Sequence, residues 1–234
     1  MTSPSEDGSR LLRPGRTGTG VAGAGRHRLS APGTVVPVDS LVARKVSLRD
    51  RLVTSRNRRP LAEMSLAARA IADHLLATTE VRRAATLAAY ISIGTEPGTG
   101  PLLDALLELG RRVIVPVVQP DLDLDWAVYD GPHSLARARR GLLEPTGPRL
   151  GLEAVATADV VLTPGLAVDR TGMRLGQGGG CYDRALGRVP VGTFTCTLLY
   201  EEELIDEVPA GERDRPVTAV VTPAGVTRLP RARA

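Results

Sequence analysis

Short, continuously apolar segments alternate with amphipathic segments along most of the chain, and this alternation restricts the possible folds most strongly. Thr86–Ile91 and Asp159–Leu162 are two of the apolar segments. Strands that are apolar throughout are typical of parallel sheets, because helices cover both faces of such sheets. The predicted helices cover residues 45–58, 63–78, 99–110 and 182–188, and the predicted strands cover residues 86–91, 113–115, 124–129, 159–162, 193–200 and 217–222. We therefore predict a three-layer α/β fold: one Rossmann-like domain with a mostly parallel sheet and helices on both faces.

The ends of the chain differ from its body in composition and charge. Residues 1–40 are rich in Gly, Pro and Arg without apolar periodicity, so we predict a disordered basic tail there, a domain over 41–225 and a second basic tail over 226–234. The formal net charge of +4 lies within residues 1–45, where seven basic residues face three acidic ones. The body is neutral, which argues against a nucleic-acid-binding domain.

Composition also bears on location and cofactor class. No apolar run approaches the ~20 residues that a membrane helix needs, and no secretory signal is recognisable. The two cysteines, Cys181 and Cys196, form no CxxC pair, which argues against a disulfide scaffold or a structural zinc site. We expect a cytoplasmic protein without a membrane segment, present as a monomer or weak dimer.

The densest chemical signal is the segment 163–184, which follows a predicted strand and leads into a predicted helix. Four glycines, at 176, 178, 179 and 180, let the backbone approach a ligand closely. The N-terminal end of the following helix attracts anions, and Arg174 and Arg184 flank the loop. We interpret the loop as a phosphate site, and it is not a P-loop because no Gly-Lys-Ser/Thr sequence occurs.

Two acids, Asp169 and Asp183, accompany this anion site. Bare carboxylates repel a polyphosphate, whereas a bridging Mg²⁺ joins carboxylates to phosphate oxygens. The residues alone therefore suggest a magnesium–nucleotide complex. The alternative is a flexible linker whose acids pair with Arg170 and Arg184.

Several spaced segments resemble the 5-formyltetrahydrofolate cyclo-ligase family, whose members are also called 5,10-methenyltetrahydrofolate synthetases. The likeness covers about residues 43–222 and includes the loop Arg174–Arg184 after Pro164–Asp169, Lys45-x-x-x-Arg49, Tyr90-Ile91-Ser92 followed by Glu96–Thr99, and Gly141–Pro145. The resemblance implies an ATP- and Mg²⁺-dependent ligase that forms a C–N bond. In that reaction the formyl oxygen of 5-formyltetrahydrofolate attacks the γ-phosphate, N10 then closes the ring, and phosphate leaves.

The resemblance also implies roles for individual residues. Lys45 and Arg174 are implied as catalytic cations, and Asp183 as the Mg²⁺ ligand. ATP binding is implied for Lys45, Arg49, Arg174, Leu175, Gly176, Gln177, Gly178, Gly179, Gly180, Cys181 and Tyr182. Binding of the folate substrate is implied for Ile91, Glu96, Gln177, Gly178, Gly179, Gly180 and Cys181.

The sequence departs from the family pattern at several positions. Gln177 stands where a cation or an aromatic residue is usual, and Cys181 replaces the first of two tyrosines. Near the C-terminus Arg213 replaces a histidine, Asp214 is kept and Thr218 takes the place of a second acid. These departures leave a second hypothesis open: a catalytically weakened relative that binds nucleotide and acts as a binding or regulatory module.

Other conspicuous residues have simpler interpretations. We expect Trp126 to pack at a sheet edge, Glu201–Glu203 to form a solvated turn, and Arg137, Arg139 and Arg140 to lie on a solvated helix face. Lys45 is the single lysine among 30 basic residues. A compact ammonium suits a phosphate, although chance explains a single lysine equally well.

Overall fold

A computed structural model describes residues 40–138 and 141–230 of the chain. Residues 1–39 of the predicted N-terminal tail, Arg139, Arg140 and residues 231–234 lie outside the described residues. None of the helices in the described ranges combines the length and hydropathy needed to cross a membrane.

The described residues form five α-helices and twelve strands. The helices are α1 (Leu41–Arg56), α2 (Leu61–Ala77), α3 (Thr79–Arg83), α4 (Gly100–Glu108) and α5 (Cys181–Leu186). The strands are β1 (Thr86–Ala88), β2 (Arg112–Val118), β3 (Leu124–Val128), β4 (Leu135–Arg137), β5 (Leu143–Pro145), β6 (Val160–Pro164), β7 (Ala167–Asp169), β8 (Arg174–Leu175), β9 (Phe194–Leu198), β10 (Leu204–Ile205), β11 (Ala219–Thr222) and β12 (Gly225–Arg228).

The main sheet has seven strands in the order β12-β11-β9-β6-β1-β2-β3. The five inner strands are parallel, and the edge strands β3 and β12 are antiparallel to their neighbours. The prediction of a mostly parallel sheet in a single α/β domain is confirmed. Strand β12 lies largely within residues 226–234, which the sequence analysis assigned to a tail, so the domain continues beyond residue 225.

Successive residues of the inner strands face opposite sides of the sheet, and each side has its own core. Leu87 of β1 and Leu162 of β6 pack against the face that α2 and α4 cover. Ala88 of β1 and Val161 of β6 pack in the other core, with residues of α5 and of the 3-10 turn Leu152–Thr157. Trp126 is fully buried in this second core on edge strand β3, as predicted.

Helix α1 packs away from both of these cores. Its buried Leu48 and Leu52 form a third cluster with Leu166, which directly precedes β7, and with Leu175 of the neighbouring β10-β7-β8 sheet. The helix begins after Ser40, whose side chain accepts a hydrogen bond from the Ala43 N–H at 3.2 Å. Because residues four apart lie on one helix face, this packing presents Lys45 and Arg49 together.

The strand order reverses direction between β1 and β6. From β1 the chain crosses through α4 to β2 on one side, and from β6 it reaches β9 on the other. Ligands of open α/β sheets bind beyond the carboxyl ends of the strands at such a switch point. The loops that follow β1 and β6, which begin at Ala89 and Gly165, are therefore the expected walls of a site.

Several short elements were not predicted. Helix α3 has five residues and the strands β4, β5, β7, β8 and β10 have two or three each, too few to show a period. Arg137 is exposed on strand β4, so the prediction of a helix face there is wrong. The prediction of a solvated turn is also wrong for Glu203, which is buried with 1% of its surface exposed.

Candidate active site

A cavity of about 640 Å³ opens at the switch point of the sheet. Its walls come from α1, from the loops after β1 and β6, from the hairpin β4–β5 and from the glycine loop before α5. Every residue for which the family resemblance implied a role lines it: Lys45, Arg49, Ile91, Glu96, Arg174, Leu175, Gly176, Gln177, Gly178, Gly179, Gly180, Cys181, Tyr182 and Asp183. The fold thus brings together residues that are up to 138 positions apart in the sequence.

Helix α1 contributes two cations to one wall. The ammonium of Lys45 donates to Oδ2 of Asp214 at 2.5 Å, and Nε of Arg49 donates to the carbonyl of Gly176 at 2.8 Å. Burial acts to raise the pKa of Asp214, but the hydrogen bonds from Lys45 and from the Gly211 N–H outweigh it, and the pKa lies below its ordinary value. Asp214 therefore stays ionised at neutral pH and holds Lys45 at the cavity.

The glycine loop is shaped by residues that a side chain would disturb. Gly178 and Gly180 have φ values of +102° and +68°, and a Cβ at Gly176 would come within 2.7 Å of Nη1 of Arg174. The backbone is therefore exposed toward the cavity beside Arg49 and Arg174. Helix α5 has only six residues, so the dipole contributes less than expected and side-chain cations carry most of the positive charge.

Arg174 and Asp183 form a nearly buried pair in the cavity wall. Nη2 of Arg174 donates to Oδ1 of Asp183 at 3.1 Å, and Nη1 donates to the carbonyl of Pro164 at 3.2 Å. Among the described residues, Nε of Arg174 has no hydrogen-bond partner although it is buried. A donor left free in this position suits an oxygen atom of a bound anion.

The acids at the cavity fit a site for Mg²⁺ completed by a ligand. Asp183 accepts its hydrogen bonds at Oδ1, from Arg174 and from the Arg215 N–H at 3.3 Å. Asp214, from the segment before β11, places a second carboxylate in the lining. In the described residues no group of three or more His, Cys, Asp or Glu is arranged to hold a metal. Mg²⁺ is usually held by one or two carboxylates together with phosphate oxygens, so this donor set agrees with such a site.

Asp169 does not belong to the site, and the suggestion that it joins Asp183 there is wrong. It is buried and its Oδ1 accepts from the Thr171 N–H, the Thr171 hydroxyl and the Met173 N–H at 2.6–3.1 Å. The linker alternative fails as well: Arg170 pairs with Asp206, and Arg184 donates to the carbonyl of Leu122 at 2.6 Å.

The opposite wall of the cavity is mostly apolar and carries two acids, Glu96 and Glu144. Oε2 of Glu96 accepts from the Ile93 N–H at 3.0 Å. Burial raises the pKa of Glu96, while that hydrogen bond and the positive charge of Arg56 act against the increase. The apolar lining comprises Ile91, Ile93, Pro116, Val118, Leu124, Leu142 and Leu143.

Tyr182 lies where the two walls meet. The Arg174 guanidinium is 5.7 Å from the centroid of its ring. The hydroxyl of Tyr182 is buried without a hydrogen-bond partner among the described residues, and burial raises its pKa far above the ordinary value. The neutral hydroxyl is therefore available to a polar ligand atom.

The departures from the family pattern have different structural settings. Gln177, Cys181 and Arg213 line the cavity. Thr218 does not: its hydroxyl donates to the carbonyl of Thr195 at 3.0 Å and accepts from the Thr195 N–H at 2.9 Å, between strands β9 and β11. The change at Thr218 therefore has no direct contact with the site.

Sequence reasoning missed several cavity residues. It noted Asp214 and Gly141–Pro145 only as parts of the resemblance, and their motif positions were the available signal. Glu144 fixes the hairpin β4–β5 to the sheet, because its Oε1 accepts from the Val118 N–H at 3.0 Å. Pro116, Val118 and Leu124 gave no signal, since apolar residues that line a cavity resemble those of a core.

The fold and this cavity define a class of protein: a Rossmann-like α/β domain with a ligand site at the switch point of its sheet, one wall cationic and the other mostly apolar. The sequence model of the 5-formyltetrahydrofolate cyclo-ligase family matches residues 42–223. The chain belongs to this family and is a ligase.

Individual relatives agree with this placement. The 5-formyltetrahydrofolate cyclo-ligase of Mycolicibacterium smegmatis is 46% identical over 143 residues, which are 59% of this chain and 73% of that protein. The Escherichia coli enzyme of the same name is 33% identical over 163 residues, covering 66% of this chain and 87% of that protein. The NMR structure of Aquifex aeolicus 5,10-methenyltetrahydrofolate synthetase has a TM-score of 0.70 and 28% identity, over 81% of this chain and 95% of that one.

Proposed function

We propose that the chain converts 5-formyltetrahydrofolate to 5,10-methenyltetrahydrofolate, using ATP and Mg²⁺ and releasing ADP and phosphate. Membership of the family and the names of its relatives support this activity. The observation that carries the proposal is the two-sided cavity, in which cations and a glycine loop face apolar side chains and Glu96. A triphosphate fits the first wall, and a pterin ring fits the second.

The cationic wall is suited to phosphoryl transfer. In the proposed reaction the formyl oxygen bonds to the γ-phosphorus while the bond to the β–γ bridging oxygen breaks and ADP leaves. Such a transfer depends on positioning and charge neutralisation more than on a protein nucleophile. Lys45, Arg49 and Arg174 supply the positive charge, and the free Nε–H of Arg174 adds a donor for a γ-phosphate oxygen.

Asp183 is the proposed ligand of Mg²⁺, with Asp214 as a second carboxylate in the lining. When bound, the ion neutralises phosphate oxygens that would otherwise repel these acids. Arg174 orients Asp183 through the 3.1 Å hydrogen bond. The remaining oxygen of Asp183, Oδ2, accepts no hydrogen bond from the described residues and is therefore open to the ion.

The apolar wall is suited to the ring-closing step. Glu96 accepts hydrogen bonds from amino and N–H groups of the pterin, which fixes the ring against Ile91. N10 then attacks the activated formyl carbon, and phosphate departs with the formyl oxygen and takes up the N10 proton. Walls that exclude water protect the phosphorylated intermediate from hydrolysis.

Folate affinity is expected to depend on the ionisation of Glu96. Its pKa is raised by burial, so the carboxylate is lost at a higher pH than for an ordinary glutamate as the solution is acidified. The affinity of the wild-type protein for 5-formyltetrahydrofolate, measured by calorimetry, should therefore fall at mildly acidic pH. The Glu96→Gln variant should bind about tenfold more weakly at neutral pH and lack this decrease.

Glu207→Gln is the matched control for that measurement, since Glu207 is exposed and pairs with Arg44 on the surface. It should retain the wild-type affinity and pH dependence. An unchanged acidic decrease in the Glu96→Gln variant would show that another group titrates and that Glu96 does not hold the pterin.

The function itself is tested by near-ultraviolet absorbance. Purified protein is mixed with 5-formyltetrahydrofolate, Mg²⁺ and ATP, and the methenyl chromophore should appear only when both ATP and protein are present. Omission of ATP is one control, and a heat-unfolded sample is another. No chromophore from folded protein that still binds ATP would reject the activity.

A catalytically weakened nucleotide-binding relative is the second candidate. The observation that favours it is the presence of Gln177 and Cys181 in the cavity lining, where the family usually has larger or charged side chains. The absorbance measurement separates the two candidates, because the weakened relative binds ATP without forming the chromophore. The predictions of Mg²⁺ dependence, cytoplasmic location and a monomer or weak dimer stay predictions.

A further inference from the structure

A buried ion pair lies behind the cavity, between the end of helix α1 and the 3-10 turn Glu201–Glu203. Arg56 and Glu203 have 2% and 1% of their surfaces exposed. Nε and Nη2 of Arg56 donate to the two carboxylate oxygens of Glu203 at 2.6 and 2.7 Å. Neither residue lines the cavity, so neither is in position to touch a ligand.

Arg56 reaches the cavity wall through the backbone of Gly165. Its Nη2 also donates to the Gly165 carbonyl at 2.6 Å, immediately after strand β6. Gly165 lines the cavity, and a Cβ there would lie 2.7 Å from Cγ2 of Thr197. The guanidinium therefore fixes a stretch of wall that has no side chain of its own with which to anchor itself.

The same pair reaches the opposite wall through Tyr200. Oε2 of Glu203 accepts from the Tyr200 N–H at 2.9 Å, and the Tyr200 hydroxyl donates to the carbonyl of Thr95 at 3.3 Å. Thr95 directly precedes Glu96. Hydrogen bonds thus connect Arg56, through Glu203 and Tyr200, to the turn that carries Glu96.

Stability alone is a weak reason for this arrangement. Desolvation of two charges offsets most of their attraction, and buried ion pairs are often replaced by apolar residues without loss of stability. Removal of one partner alone is strongly destabilising, because a buried charge is left unpaired. The positive charge of Arg56 also acts on Glu96 and lowers its pKa against the effect of burial, which favours the carboxylate.

We propose that Arg56, held by Glu203, is a positioning residue for the folate half of the site: it fixes the Gly165 backbone and the turn that carries Glu96. The inference rests on the proposed function. The ATP half of the cavity is held by other contacts, from Lys45 to Asp214 and from Arg49 to Gly176. Arg174 lies beside Gly165 but has its own anchors, Asp183 and the carbonyl of Pro164. Loss of Arg56 should therefore affect the folate and leave ATP nearly unaffected.

The decisive variant replaces both charges at once, Arg56→Met with Glu203→Leu. With no unpaired charge left, it should fold, but its unfolding temperature should be lower than that of the wild type because the Gly165 carbonyl and the Tyr200 N–H lose their hydrogen-bond partners. The KM for 5-formyltetrahydrofolate should rise about tenfold, since Gly165 and the Glu96 turn lose their anchor, whereas the KM for ATP should change less than about twofold. Calorimetric binding of 5-formyltetrahydrofolate without ATP should weaken in parallel.

A second variant covers the case in which the double variant does not fold. Arg56→Lys keeps the charge and the pairing with Glu203, but a single ammonium cannot reproduce the fork that also reaches Gly165. Its folate KM should rise while its ATP KM stays near the wild-type value. The matched control removes an exposed pair elsewhere, Arg228→Met with Glu80→Leu, and should leave both KM values unchanged.

Two results would overturn the inference. A folded double variant with the wild-type folate KM would make the pair purely structural. An equal increase of both KM values would indicate a general distortion of the domain. Failure of the proposed function gives a different result, since the wild-type protein would then neither form the methenyl chromophore nor bind 5-formyltetrahydrofolate.

Discussion

An Asp183→Asn variant is expected to lower kcat for methenyltetrahydrofolate formation on the order of 10²- to 10³-fold while the protein remains folded. Asparagine keeps the oxygen that accepts from Arg174 at 3.1 Å and from the Arg215 N–H at 3.3 Å, so the local contacts survive. It loses the negative charge that the proposed Mg²⁺ site requires. The measurement is the initial rate as a function of Mg²⁺ concentration, with thermal unfolding as the test of folding.

Asp206→Asn is the matched control for this substitution. Its side chain is almost fully exposed and pairs with Arg170 on the surface, so the same chemical change there should leave the rate and its Mg²⁺ dependence unaltered. An Asp183→Asn variant with the wild-type rate and the wild-type Mg²⁺ dependence would remove Asp183 from the metal site. A loss of folding in that variant alone would instead assign it a structural role.

Local sequence patterns predicted the parts of the site that depend on short-range spacing. Lys45 and Arg49 are four residues apart, so any helix there presents them together. The sequence predicted that the glycine backbone lies against a ligand, and Gly178 and Gly180 line the cavity with positive φ values. The strand–loop–helix order placed that loop at the carboxyl end of a parallel sheet, where the cavity is found.

The parts that depend on distant contacts were not predictable from the residues themselves. Asp169 and Asp183 look equivalent in the sequence, but the carboxylate of Asp169 accepts hydrogen bonds from backbone N–H groups of its own turn and from the N–H of Val208. Glu203 lies in a run of three glutamates, a pattern that predicts a solvated turn. It is buried because it pairs with Arg56, which is 147 residues away in the sequence. A charged side chain is rarely buried unless it is paired with an opposite charge. When that partner is distant in the sequence, the local pattern does not predict the burial.

Arg174→Lys is expected to lower kcat by a comparable amount, on the order of 10²- to 10³-fold, although the charge is kept. Arg174 directs three N–H groups to different places: Nη2 to Asp183, Nη1 to the carbonyl of Pro164 at 3.2 Å, and Nε, which is free among the described residues. A lysine ammonium at one point cannot hold Asp183 and the strand end while it also donates to the transferred phosphoryl group. The rate is measured by the methenyl absorbance at saturating ATP.

The balance between kcat and KM shows what Arg174 does in this variant. Charge on the phosphoryl oxygens and the leaving group is redistributed during the transfer, so a donor aimed at them contributes more in the transition state than in the bound substrate. The decrease should therefore appear in kcat, while the KM for ATP changes by less than about threefold. The control is Arg170→Lys, since Arg170 is mostly exposed and pairs with Asp206 on the surface. An increase in the KM for ATP at unchanged kcat would show that Arg174 binds the triphosphate without acting on the transfer. The role in the transition state would then pass to Lys45, the other cation for which the family resemblance implied catalysis.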